Sequence, residues 1–200
     1  MRRRSWVIAG ATALVLIAGA APIAWRAIPH VPPSDARPSS PSIARELAYV
    51  ERYWQHRNPE YGDFGGTDCV NFTSQALHAR GWAMSAQWGT SSTLGRRAAT
   101  RTWVSSTAMM RWLASRPDLA APLDDRHRGE VAVGDVAQFD WDASGDRDHT
   151  AVVSRVTPRA DGSVEIDVAE HSPSGLHDSV DTLIARHGGR GTVHYWHLRA

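Results

Sequence analysis

The stretches HTAVVSRVT, residues 149–157, and SVEIDVAEH, residues 163–171, decide the architecture. Each alternates apolar and polar side chains with the period of a half-buried strand. A five-residue connection, Pro158 to Gly162, places Thr157 opposite Ser163. Val156 then faces Val164, Ser154 faces Ile166 and Val152 faces Val168. On the other face Arg155 meets Glu165, a stabilising opposite-charge pair. This register sets His149 directly opposite His171. It leaves Glu170 on the wrong face and Asp167 on the correct face but farther along. A slip of one residue would exchange both faces, so the pattern itself supports the pairing.

Working outward, Val136 to Trp141 and Thr192 to Leu198 read as further strands. The first half of the chain has a different period. Ile43, Leu47, Val50 and Trp54 recur at helical spacing, with Ser42 placed to cap them and Asn58-Pro59 to end the segment. Tyr61 to Thr67 is a Gly-rich loop. Cys69 to Arg80 follows as a helix, capped by Asp68 and stopped by Gly81. Ser106 to Ser115 forms another, while Gly89 to Arg101 gives no clear pattern. Helices followed by an antiparallel sheet make an α+β fold.

The chain has 200 residues and a formal net charge of +1; all 22 basic residues are Arg. That balance gives no electrostatic reason to expect a nucleic-acid partner. Nine Trp, Trp103 and Trp112 among them, read mainly as core. At the N-terminus the basic Met1 to Arg4 precedes an uncharged apolar run, Trp6 to Trp25, closed by Arg26. Residues 1–28 therefore read as a signal peptide or an N-terminal membrane anchor. Ala18-Gly19-Ala20 offers a cleavage pattern, and Arg2, Arg3 and Arg4 would stay cytoplasmic, so the rest of the chain is expected outside. Residues 29–42 are a Pro/Ser-rich linker, and the folded domain is expected over 43–200.

The single cysteine excludes an internal disulfide. It is either a buried small hydrophobe or a reactive thiol. Cys69 opens a helix, where the dipole favours a thiolate; the neighbouring Asp68 carboxylate opposes this, so a base must supply much of the activation. Two adjacent imidazoles, His149 and His171, suit a base held by an orienter. Metal readings are weaker. Asp140, Asp142, Ser144 and Gly145 mimic half of a calcium loop, but its twelfth position is Ala151 rather than Glu. Cys69, His149 and His171 lack the companion ligands of a zinc site. His194 and His197 decorate the terminal strand.

The run Asp68-Cys69-Val70-Asn71-Phe72-Thr73-Ser74-Gln75-Ala76-Leu77 resembles the nucleophile helix of the bacterial Putative amidase domain family, itself similar to papain-like cell-wall peptidases. Tyr49 to Tyr61 resembles that family's leading helix and loop. Gly134-Asp135-Val136 through Asp148-His149-Thr150 resembles its base-bearing strand, and Glu170-His171-Ser172 its closing segment. The resemblance implies a papain-like fold and hydrolysis of an amide or peptide bond. Cys69 would be nucleophile, His149 base and His171 orienter, and the Cys69 N–H, on the helix capped by Asp68, an oxyanion donor. No cofactor is implied. With an outward address, the expected partner is a peptide or peptidoglycan substrate of a monomeric, exported enzyme. The competing readings are a non-catalytic wall- or peptide-binding module and an acyltransferase using the same Cys–His site.

Overall fold

The computed structural model describes residues 40–93 and 96–199. The expected targeting segment and nearly all of the expected linker lie outside them. No helix among the described residues is long and apolar enough to cross a membrane.

Helix α1 spans Pro41–Tyr53. The Ser40 side chain, rather than Ser42, caps it by accepting the Ile43 N–H at 3.3 Å. Pro41 fits the first turn because its missing N–H would have had no intrahelical acceptor there. Helix α2 spans Asp68–Arg80 and ends at Gly81, whose φ of 122° suits glycine. Asp68 is the first helical residue, not the cap; its carboxylate is engaged elsewhere, as described below. The unpatterned stretch after Gly89 contains a small antiparallel pair, β1 (Thr90–Thr93) and β2 (Arg96–Ala99). Short helix α3 (Arg101–Val104) leads into α4 (Ser106–Ala114), whose start is capped by the Ser105 hydroxyl accepting from the Ala108 N–H.

The second half builds one antiparallel sheet from β3 (Ala120–Asp124), β4 (Val136–Asp140), β5 (His149–Pro158), β6 (Val164–Glu170), β7 (Gly175–Ser179) and β8 (Thr192–Leu198), with helix α5 (Val180–Arg186) between the last two. The strand order is β3-β8-β4-β5-β6-β7. The fold is thus α+β, as the patterning indicates. Strand β3 carries Pro122 and lies at an edge, where a missing N–H donor is tolerated.

The sheet is covered on both faces. On one, Val152 and Ala169 pack with Val50, Phe72 and Ala76 of α1 and α2. On the other, Val153, Ile166 and Val168 pack with Val180 and Leu183 of α5. Helix α2 is buried along nearly its whole length. Its end is tied to α1 by Arg80, whose Nη1 donates to Glu46 Oε2 at 2.7 Å, both side chains being buried. Among the described tryptophans, Trp88 stacks on Trp112 and meets Trp82 edge-on, and both Trp88 and Trp103 are fully buried, in the core as expected.

The β5–β6 register differs from the sequence reading. Thr157 pairs with Glu165, and Val156 with Ile166. A bulge between Val153 and Arg155 inserts Ser154 as an extra residue. Val153 and Val156 therefore lie against the same core, which strict alternation would forbid. Arg155 pairs with Asp167, at 3.6 Å, and Glu165 pairs instead with Arg159, at 2.7 Å. Beyond the bulge Val152 pairs with Ala169. Relative to the simple register this is a shift of one residue, which exchanges the faces of Glu170 and His171.

Candidate active site

Cys69 is the second residue of α2 and is 4% exposed. Its backbone N–H belongs to the first turn, where N–H groups have no intrahelical acceptor. Around the thiol lie the imidazole of His149, the backbone N–H of Thr150 and the hydroxyl of Ser106. Burial alone would raise the thiol pKa. The hydrogen bond and charge of His149, with the Thr150 and Ser106 donors, outweigh burial and hold it below its usual value.

His149 opens β5 and is itself buried. Its Nε2–H donates to Glu170 Oε2 at 2.6 Å, which leaves Nδ1 for the thiol. Burial opposes the charged imidazole, yet the adjoining Cys69 and Glu170 push its pKa up to about 9. The two shifts run in opposite directions and share a cause: the site favours a thiolate beside an imidazolium. Glu170 is 1% exposed; its Oε2 holds His149, and its Oε1 has no hydrogen-bond partner among the described residues.

His171 does not join this set. Its ring stacks on Phe72 with centroids 4.1 Å apart. Nδ1 faces Asp68 Oδ2 and Nε2 faces the carbonyl of Tyr53, each at 2.8 Å. Both partners accept, so the ring donates at both nitrogens. His171 thereby ties β6 to the start of α2 and the end of α1. Glu170, and not His171, meets His149 because the Ser154 bulge turns Glu170 toward His149 and His171 toward the helices.

Asp68 also has a different role from the one expected. Burial would raise its pKa, but the bonds from His171 and Asn71 and the charges of His171 and Arg57 lower it. Arg57 Nε lies 3.0 Å from Oδ2, and Asn71 Nδ2 donates to Oδ1 at 2.9 Å. The negative charge beside Cys69 is thus neutralised locally. Asn71 is held in turn by Trp103, whose indole donates to its Oδ1 at 2.9 Å.

The residues weighed as zinc ligands are not gathered, since His171 is turned away from Cys69 and His149. Asp140, Asp142, Asp146 and Asp148 do converge, with ligand atoms within 4.8 Å of one another. Their oxygens bind their own loop: Asp140 accepts the N–H groups of Ser144 and Gly145, and Asp148 that of Trp141. Asp167, the alternative orienter, pairs with Arg155 instead. His197, on β8, contacts Asp135 at 3.0 Å.

A family model described as Putative amidase domain matches residues 42–195. The chain belongs to this family. Among curated proteins it is similar to the uncharacterized protein YhbB of Bacillus subtilis (strain 168), 29% identical over 109 residues, covering 54% of this chain and 35% of that protein. It is also similar to the uncharacterized protein YjcM of the same organism, 27% identical over 154 residues, covering 74% of this chain and 34% of that protein. The matched region thus spans about a third of each relative. No solved structure matches the chain. Family membership makes the chain an amidase-domain protein, and the domain match encloses Cys69, His149 and Glu170 together.

Proposed function

We propose that this amidase-domain protein is a cysteine-dependent amide hydrolase working outside the cytoplasmic membrane, with peptides of the cell wall as its substrates. One observation carries the chemistry: a buried thiol at a helix start lies against an imidazole whose far nitrogen is held by a buried carboxylate. Nucleophile, base and orienter in series form the arrangement that acyl transfer requires. The outward address rests on the basic start and apolar run at the N-terminus.

In the reaction, the Cys69 thiolate attacks the carbonyl carbon of the scissile amide. The oxyanion that develops accepts a hydrogen bond from the Cys69 backbone N–H. The His149 imidazolium gives its Nδ1 proton to the departing amine, leaving a thioester on Cys69. Water then attacks the thioester and gives a proton to His149. Collapse releases the carboxylic acid and restores the thiolate–imidazolium pair. Glu170 accepts the Nε2 proton bond throughout, fixing the tautomer and direction of the ring.

The test is incubation of the full chain with purified peptidoglycan and mass analysis of the soluble products. Wild type releases peptide fragments with new carboxyl and amine ends, and Cys69→Ala releases none. Equal release by both proteins would end the cysteine mechanism.

A further inference from the structure

A buried polar chain that the mechanism above does not use runs from β8 to the start of α4. It starts at Trp196 on β8, whose indole N–H donates to Gln138 Oε1 at 2.8 Å. An indole can only donate, so this bond fixes which end of the Gln138 amide is oxygen. Gln138 Nε2 then spends its two protons on the Ser106 carbonyl, at 2.9 Å, and on Thr150 Oγ1, at 3.1 Å. Thr150, already accepting, donates its hydroxyl proton to Ser106 Oγ at 2.8 Å. Gln138 and Thr150 are fully buried and Ser106 nearly so, so bulk solvent does not compete for these protons. Ser106 Oγ accepts from Thr150 and keeps one proton to give, and the acceptor beside it is the Cys69 sulfur.

We propose that Ser106 is a further residue of the catalytic apparatus, a thiolate-stabilising donor whose hydroxyl proton is aimed at Cys69 Sγ by a one-way hydrogen-bond chain anchored at the Trp196 indole. The inference rests on Cys69 being the nucleophile. It gives the Asp-His-Thr segment a divided role. His149 exchanges the proton with the thiol. Thr150 contributes its backbone N–H to the sulfur and its hydroxyl to the orientation of Ser106. The chain also reaches across the sheet, from β8 through β4 and β5 to the start of α4, so it sets α4 at a fixed place relative to the nucleophile. Charge-assisted bonds of this kind favour the ionised acceptor over the protonated one. Their loss should therefore appear in the protonation of the thiol and not only in the reaction rate.

The experiment is the pH dependence of iodoacetamide labelling of Cys69 in the full chain, compared for wild type, Ser106→Ala and Thr150→Val. Ser106→Ala removes one oxygen and leaves the fold's packing almost unchanged. Thr150→Val keeps the side-chain shape and the backbone donor while cutting the chain one link earlier. The pH of half-maximal labelling is expected to rise by about one unit in Ser106→Ala, and by less in Thr150→Val. A Ser106→Ala curve that superimposes on an activated wild-type curve would overturn the role of Ser106 and leave the Cys69–His149 pair standing. A wild-type curve that matches a free thiol would remove the nucleophile reading itself, and this inference with it.

Discussion

The Nε2 of His149 lies 2.6 Å from Oε2 of Glu170, a side chain that is 1% exposed and comes from the last residue of the neighbouring strand. So short a contact to a buried carboxylate fixes the imidazole's direction and favours its charged form. The partner of His149 is thus a carboxylate rather than a second histidine.

The first prediction concerns that carboxylate. Glu170→Gln keeps an acceptor for the His149 N–H but removes the charge. Turnover should fall on the order of 10²-fold. The basic limb of the pH–rate profile, set in wild type by His149 at about 9, should move to lower pH, because the imidazolium has lost a counter-charge. Steady-state rates across the pH range measure both. An unchanged basic limb in Glu170→Gln would show that Glu170 does not act on His149.

His171 should behave differently. Its two bonds, to Asp68 and to the Tyr53 carbonyl, fasten three elements together. His171→Ala should lose about 3 kcal/mol of stability, because it deletes both and strips a buried carboxylate of one partner. Denaturant unfolding measures this. A His171→Ala protein with wild-type stability but no activity would restore His171 to the chemistry.

How far these roles were legible in the sequence turns on one residue. Strands β4, β5, β6 and β8 and the α+β division follow from hydrophobic period, because burial enforces that period wherever a face is covered. The places of Cys69 at the start of a helix and of His149 at the start of a strand were legible. The partner of His149 was not, because alternation alone cannot reveal an extra residue. Ser154 is that residue, and it sits between Val153 and Val156, which end on the same face. Strand β3 was hidden by Pro122, which its edge position tolerates. Asp68 looked like a cap because its side chain suits one. Only the tertiary arrangement brings Arg57 and His171 to it. Ser106 gave no signal at all, since its role depends on Gln138, Thr150 and Trp196 meeting across three strands.

A third prediction tests the clamp between α1 and α2. Arg80→Ala removes the hydrogen-bond partner of a buried Glu46 carboxyl, whose pKa burial already pushes up to about 8, and should cost about 1–3 kcal/mol. Gly134 lies against the same pair with a φ of +87°, and a Cβ there would sit 3.0 Å from both Arg80 Nη1 and Glu46 Oε2. Gly134→Ala should therefore also destabilise the fold, from backbone strain and crowding together. Thermal unfolding of the two variants checks this, and a wild-type midpoint for Arg80→Ala would contradict the clamp.

The central claim is that Cys69 stands as a thiolate paired with the His149 imidazolium. The most direct test is the rate of iodoacetamide labelling of Cys69, the chain's single cysteine, as a function of pH in wild type and His149→Ala. A free thiol has a pKa of about 8.5. Wild type should label with a midpoint well below that value, and His149→Ala should move the midpoint back toward it or beyond, since burial then acts on the thiol with less opposition. A wild-type midpoint at the free-thiol value, unmoved by His149→Ala, would contradict the account and leave Cys69 as a buried structural residue.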